Sequence, residues 1–445
     1  MRQKWIRLMA VLCVVPMLLA LVACSTGGTT TVAPTTGAPG ETTTAGSNTA
    51  TVAAPKSVVK IGIVNPTTGP LAGFGAGAPW TEEQVVKYVN ETMGGIFFED
   101  YGVKLPIEVV MYDSTSDTTT AAEMAQKLIE EDKVDIIIAR HTPETVNPVS
   151  SVAERYGVPC VAIEAPVDAW LSAGPYEWTY HAFWTLDVMY ELYSDMWKQA
   201  GYGPGTKIGI AFANDADGTA WATIFRARIV ADGYTLVDPG QYPALTTDYS
   251  DIIAKFKAED VKILVGTNIT PDFASLWLQS NQLGFKPEMV TMGKAYLLES
   301  DANAVGADLM DGMIAEVWWS PDHPYSSALT GMTPKQLTEL FKTATGNNIT
   351  QPMGYKYASM ELAVTALQNA TNLEPENILA GLAAIDVETI VGPIKYNAEH
   401  WSATPLAGGQ WQKQADGTLK LVIINNSVNP EIPVTGKMIF PLTYK

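Results

Sequence analysis

Cysteine is scarce in this chain: three occur in 445 residues, at positions 13, 24 and 160. The first two lie within the opening two dozen residues, so Cys160 stands alone in the body of the chain and no disulfide framework can form there. Its place in the apolar run Val158–Ile163 predicts a buried core thiol. Histidine is sparse too. The four residues at 141, 181, 323 and 400 have no metal-ligand spacing, and no metal site is expected. Cations are outnumbered, with 28 Lys and Arg against 47 Asp and Glu and a formal charge of −19. Such a chain lacks the basic footprint that phosphate binding needs, which argues against nucleic acid as a partner. No Gly-x-Ser-x-Gly elbow, paired-histidine motif or phosphate loop is present, so neither catalysis nor a cofactor is expected.

What the first residues do contain is an export signal. Arg2, Lys4 and Arg7 precede an apolar stretch from Leu8 to Val22, which is short for a permanent span and ends in small residues. Leu21-Val22-Ala23-Cys24 resembles the lipobox of bacterial lipoproteins. The resemblance implies a signal peptide over residues 1–23, cleavage before Cys24, lipid on its sulfur and membrane contact through that lipid. A plain N-terminal anchor is the alternative. Cleavage would remove three cations and leave a charge of −22. Residues 24–56 hold little besides Thr, Ala, Gly, Pro, Ser and Val, and without apolar periodicity they predict a flexible tether. The nearly four hundred residues beyond are too many for one core, so two lobes are expected.

From Val58 onward, short β-branched runs alternate with amphipathic stretches. Val58–Val64 predicts a strand, and the turn-rich Asn65–Gly77 follows. A helix is expected from Thr81, whose spacing to Gln84 is that of a capping box. Strands follow at Ile107–Tyr112, Val134–Ala139 and Val158–Ile163, separated by helical stripes, one capped by Thr120 and another ended by Gly157. After the aromatic stretch Tyr176–Trp184 the rhythm restarts, with strands at Lys207–Phe212, Thr235–Val237, Val261–Val265 and Met289–Met292. Helices are expected between them at Thr219–Ala231, after Asp248 and at Pro271–Gly284. Alternation at this interval specifies an α/β fold with parallel sheets covered on both faces. Two such doubly wound, Rossmann-like units would gather their ligand loops at the carboxyl ends of the strands, across one cleft.

The run Ile61-Gly62-Ile63-Val64-Asn65-Pro66-Thr67-Thr68-Gly69-Pro70-Leu71-Ala72-Gly73-Phe74-Gly75 resembles the start of branched-chain amino-acid periplasmic binding proteins. So do Asn90–Gly95, Tyr112-Asp113-Ser114 and Gly392-Pro393-Ile394-Lys395-Tyr396-Asn397, and the order of elements is similar over about residues 57–430. The resemblance implies a type I fold of two lobes joined by a three-crossover hinge. The first lobe would be residues 57–183 with 313–400, and the second 184–312 with 401–445. It further implies an extracytoplasmic solute-binding lipoprotein of an ABC importer, at the cell surface or in the periplasm. Hinge closure would trap a small polar solute (an amino acid, amide or related amine, with an apolar or aromatic part) for the permease subunits. A ligand-sensing receptor, closing for a signalling partner, is the alternative.

Carried over position by position, the family's ligand-facing aromatic falls at Phe74, with Trp80 following at the head of the next helix. Its Ser/Thr-rich loop falls on Arg140-His141-Thr142-Pro143-Glu144-Thr145, where Thr142 and Thr145 offer hydroxyls and Arg140 a cation for a carboxylate. Glu144 stands where a serine is usual, and the second polar loop, Glu164-Ala165-Pro166, also begins with an acid. Asp217 takes a place where an aromatic is common, and Asn268 and Tyr296 join it on strand-end loops of the second lobe. The acid that accepts the ligand ammonium in the family is missing, because Lys294-Ala295-Tyr296 follows Met292-Gly293. Either Glu144, Glu164 or Asp217 accept hydrogen bonds from a cationic or amide-bearing solute, since an unpaired buried carboxylate is costly, or they pair with Arg140, Lys294 or solvent and the pocket lies slightly elsewhere. A neutral amino acid in a reversed pose is a third reading. Trp318 and Trp319, followed by Pro321 and Pro324, are expected either to line the cleft and stack on the solute or to pack the crossover.

Overall fold

The computed structural model describes residues 53–444; the leader, Cys24 and nearly all of the tether lie outside them. Two sheets dominate. One is six-stranded, in the order Trp401–Ser402, Thr179–Ala182, Cys160–Ile163, Ile136–Ala139, Val59–Asn65, Ile107–Asp113, and every pairing in it is parallel. The other is seven-stranded, in the order Leu419–Asn425, Ala407–Lys413, Ile314–Val317, Met289–Gly293, Ile263–Thr267, Lys207–Phe212, Thr235–Val237. Its first two pairings are antiparallel and the rest parallel. Ile136–Ala139, Cys160–Ile163, Ile263–Thr267 and Met289–Gly293 are buried along their whole length, as strands covered by helices on both faces must be.

In each sheet the first strand along the chain lies between the second and the third, so the winding reverses beside Val59–Asn65 and beside Lys207–Phe212. The crevice at such a reversal, outside the carboxyl ends, is where ligands sit in folds of this kind. The chain passes between the sheets three times: after Ala182, after Val317 and after Ser402. The first passage carries Phe183 and Trp184, the second Trp318 and Trp319. The third is tied to the first, because Thr404 N–H donates to Phe183 O at 3.3 Å. Helix Gln351–Asn369 then packs on Ala78–Lys87 and on the strand Cys160–Ile163, and is buried almost all round.

Two expected boundaries move. Ile314–Val317, which the sequence groups with the first lobe, pairs in the seven-stranded sheet, and Trp401–Ser402, grouped with the second, pairs with His181 and Ala182 in the six-stranded one. The segment Met313–Trp319, apolar except for Glu316, contains both a complete strand and the start of a passage, and hydropathy does not divide them. Helix starts move as well. Gly77 caps Ala78–Lys87, so Thr81 lies inside the helix and bonds back to Gly77 O at 2.9 Å. Asp117, rather than Thr120, caps Thr118–Glu130 and accepts Thr120 N–H at 2.8 Å. Several short polar side chains compete at each end, and spacing alone does not rank them.

Candidate ligand-binding site

The carboxyl ends of both sheets meet at a small chamber. Phe74, His141, Thr142, Pro143, Glu164 and Pro166 line it from the six-stranded side. Asp217, Trp221, Thr267, Lys294 and Glu316 line it from the seven-stranded side, and Phe183, Trp184 and Trp318 from the passages. The space they enclose is ≈ 20 Å³, room for about one water.

Backbone strain aims several of these side chains. His141, Thr142, Glu164 and Lys294 all hold left-handed dihedrals, with φ of 65, 58, 62 and 64°. The region is unfavourable for any residue with a Cβ and most of all for a β-branched one such as Thr142. Each instance costs about 1–3 kcal/mol and persists only where the surroundings fix it. Here Thr142 N–H donates to Glu164 O at 3.0 Å, and Lys294 N–H donates to Glu316 Oε1 at 2.9 Å, joining neighbouring strand ends. Phe74 arrives on the short turn Ala72–Gly75, which is fastened from two sides. Asn65 Nδ2 donates to Gly75 O at 3.3 Å, and Lys356 Nζ donates to Phe74 O. Gly75 must be glycine, because a Cβ there would overlap Pro66 O.

Two polar pairs face each other across the chamber. On one side His141 Nε2 lies 3.2 Å from Asn65 Oδ1 and its Nδ1 lies 3.0 Å from Glu164 Oε2. Burial lowers His141 to about 4 in spite of Glu164. Burial works to raise Glu164, but His141, Lys356 and Arg140 together hold it below the usual carboxylate range. Its Oε1 has no hydrogen-bond partner.

On the other side Lys294 Nζ lies 2.6 Å from Asp217 Oδ2, which also accepts from Thr267 Oγ1 at 3.4 Å. Asp217 Oδ1 is buried without a partner. Burial pushes Asp217 up to about 6 against the pull of Lys294, and Glu144 and Asp215 add to the rise. Burial works against the charge on Lys294, yet Asp217, Glu144 and Asp215 hold its pKa above the ordinary value. Both groups are therefore charged at neutral pH. Behind them burial pushes Glu316 up to about 7, although it accepts hydrogen bonds from Lys294 N–H and from Tyr193 OH at 2.9 Å.

Glu144 bridges the two sheets. It stands in the first turn of Pro143–Tyr156, and its Oε1 accepts the N–H of Asp217, in the first turn of Ala216–Ala231, at 3.1 Å. A carboxylate between two helix N-termini is favoured by both dipoles. An aromatic chain runs the same way. Phe74 and Trp318 stack at 6.2 Å, Trp318 lies 6.4 Å from Trp184, and Trp184 meets Trp221 edge-on at 6.0 Å.

Of the residues expected at the site, Phe74, Thr142, Glu164, Asp217 and Trp318 come together here, with Glu144 alongside. The others are engaged elsewhere. Arg140 binds Glu82 and Ser359, and Trp80 packs edge-on against Phe341 at 5.0 Å. Thr145 Oγ1 bonds back to Arg140 O at 3.1 Å, and Ala165 O lies 2.7 Å from His181 Nε2. Asn268 donates to Ala211 O and Tyr242, and Tyr296 OH donates to Ile314 O at 2.8 Å. Trp319 Nε1 donates to Ile390 O at 3.0 Å, outside the chamber. Residues not expected there are His141, Phe183, Trp184, Trp221, Thr267, Lys294 and Glu316. Lys294 left a trace in the sequence as the cation standing where the resembling family has an acid, and it pairs with Asp217 as one of the sequence readings has it. His141 lies in the loop aligned with the family's Ser/Thr-rich one, and Phe183 and Trp184 end the aromatic stretch.

A family model described as periplasmic binding protein matches residues 58–416. The Leu/Ile/Val-binding protein homolog 8 of Brucella abortus (strain 2308) is 28% identical over 400 residues, covering 86% of this chain and 93% of its own. Among solved structures, the branched-chain amino acid transporter substrate-binding protein of Streptococcus pneumoniae in complex with isoleucine superposes with a TM-score of 0.68 at 19% identity, over 83% of this chain and 99% of its own. A solute-binding protein of an ABC transporter from Rhodopseudomonas palustris BisB5, in complex with 3,4-dihydroxybenzoic acid, has a TM-score of 0.66 at 18% identity, over 83% and 97%.

Proposed function

The chain belongs to the periplasmic binding protein family, and from that membership we propose that it captures a small polar solute with an apolar or aromatic part, an amino acid, amide or related amine, for an ABC importer. It is a solute-binding protein rather than an enzyme, and it works outside the cytoplasm. The relatives named above bind an apolar amino acid in one case and a planar acid in another, and aromatic walls suit either body.

One observation carries the reading. Glu164 Oε1 and Asp217 Oδ1, one from each sheet, are buried without partners beside five aromatic rings. A buried polar atom left unpaired costs about 1–3 kcal/mol, so a solute that reaches both atoms is held and draws the sheets together. The chamber is too small for such a solute to enter as it stands. Entry requires the sheets to part about the three passages, and contacts from both sides then favour the closed form. In the same reading lipid on Cys24 keeps the protein beside its permease; Cys24→Ser should move it from the membrane to the soluble fraction.

The test is a titration of the mature protein with amino acids, amides, polyamines and aromatic acids preselected by thermal shift. A bound solute should raise the melting temperature by linkage, change tryptophan emission and reduce the radius of gyration in small-angle scattering. A solute whose binding is proven by calorimetry, yet which changes neither emission nor radius, would rule the reading out.

A further inference from the structure

Resting on that reading, we infer that the preferred solute is a protonated amine with N–H donors and an apolar or planar body, and that it carries no carboxylate of its own. The polar atoms that lack partners on the two facing carboxylates are acceptors, Glu164 Oε1 and Asp217 Oδ1. They call for donors, and an ammonium group offers several. Among the described residues, every cation close by is already engaged. Lys294 lies 2.6 Å from Asp217, Lys356 donates to Phe74 O, and Arg140 is turned away to Glu82 and Ser359.

A solute carboxylate would therefore have to take Lys294 from Asp217, leaving that acid buried and unpaired, or lie against two like charges. A cation meets neither obstacle. It also gains from the rings of Phe74, Trp184, Trp221 and Trp318, whose electron-rich faces attract positive charge while their bulk receives an apolar body. A free α-amino acid brings both charges, and its carboxylate finds no free cation. The hydroxyl of Thr142 and the indole N–H groups of Trp184 and Trp318 are buried without partners, but all three are neutral donors, and none supplies the positive charge that a buried carboxylate requires.

The experiment compares matched solutes on the wild-type mature protein by calorimetry near neutral pH, with scattering on each. One series is 3-methylbutylamine, leucine and 4-methylpentanoate; the other is 2-phenylethylamine, phenylalanine and 3-phenylpropionate. In at least one series the amine should bind about tenfold tighter than its amino acid and its acid, and compact the protein. Glu164→Gln should weaken that amine by about tenfold or more. If the variant does not fold, the wild-type series decides alone. Tighter binding of the amino acid or the acid than of the amine in the series that binds more tightly overturns the inference, and compaction on that solute leaves the broader reading standing. Absence of binding by both amines at millimolar concentration also overturns it.

Discussion

Lys294 Nζ lies 2.6 Å from Asp217 Oδ2 inside the chamber, with both side chains almost wholly removed from solvent. Removing one member of such a pair leaves the other charge buried and uncompensated, a loss of about 3–5 kcal/mol. Lys294→Met is therefore expected to lower the unfolding free energy by about that amount, and adding Asp217→Asn should recover much of it. Urea denaturation of the wild type, the single variant and the double variant measures both effects. A single variant as stable as the wild type would show that the two charges do not meet in this way.

Glu144 contributes a contact between the sheets, and its value should appear in binding. A charge-assisted hydrogen bond of this kind is worth about 1.5–3 kcal/mol, so Glu144→Gln is expected to weaken solute affinity by about tenfold. Glu123→Gln, on the exposed face of Thr118–Glu130, should leave affinity unchanged. Calorimetry with one confirmed solute compares them. Equal affinities for the two variants would take Glu144 out of the closure.

Strands were legible where burial on both faces leaves an apolar run, as in Lys207–Phe212, which has the limits its residues suggest. The edge strand Thr235–Val237 has its expected limits too, although only Val237 is buried. The strand-end loops were legible for a topological reason, since this class of fold places ligand residues there. Side-chain direction was not. Arg140 and His141 are neighbours, yet Arg140 turns to Glu82 and Ser359, while His141, at φ 65°, faces Glu164. Trp318 and Trp319 divide in the same manner, one in the chamber and the other donating to Ile390 O. Loop dihedrals decide these directions, and residue type alone does not report them. Phe183 and Trp184 closed an aromatic stretch in the sequence, and only the path of the chain between sheets explains why they reach the site.

Glu316 should give stability a pH dependence of known sign. Burial raises its pKa from 4.5 to about 7 in the folded chain. A carboxyl raised in this way supports the folded state fully below its unfolded pKa and loses that support as pH rises through the folded one, here a change of about 3 kcal/mol. Glu316→Gln removes the titration while keeping an oxygen for Lys294 N–H. The stability of the variant relative to the wild type should therefore climb by up to about 3 kcal/mol between about pH 5 and pH 8. Denaturant curves across that range provide the check, and parallel pH profiles would mean that Glu316 does not titrate there.

Gly293 ends the strand that leads into Lys294, and the absent side chain makes room for the indole of Trp221. A Cβ at this position would lie 2.6 Å from Trp221 Cη2, closer than real contacts allow. The ring cannot yield freely, because it stacks on Phe225 at 4.9 Å and meets Trp184 edge-on at 6.0 Å. Gly293→Ala should accordingly lose about 1–3 kcal/mol of stability through overpacking and, by displacing a ring that lines the chamber, weaken solute binding. Gly354→Ala is the matched control. Its Cβ would overlap the indole of Trp319, which lies outside the chamber. The control should lose comparable stability with affinity intact, as read by thermal melting and calorimetry on both variants. If both lost affinity alike, general loosening of the fold would account for the effect, and the position of Trp221 would not.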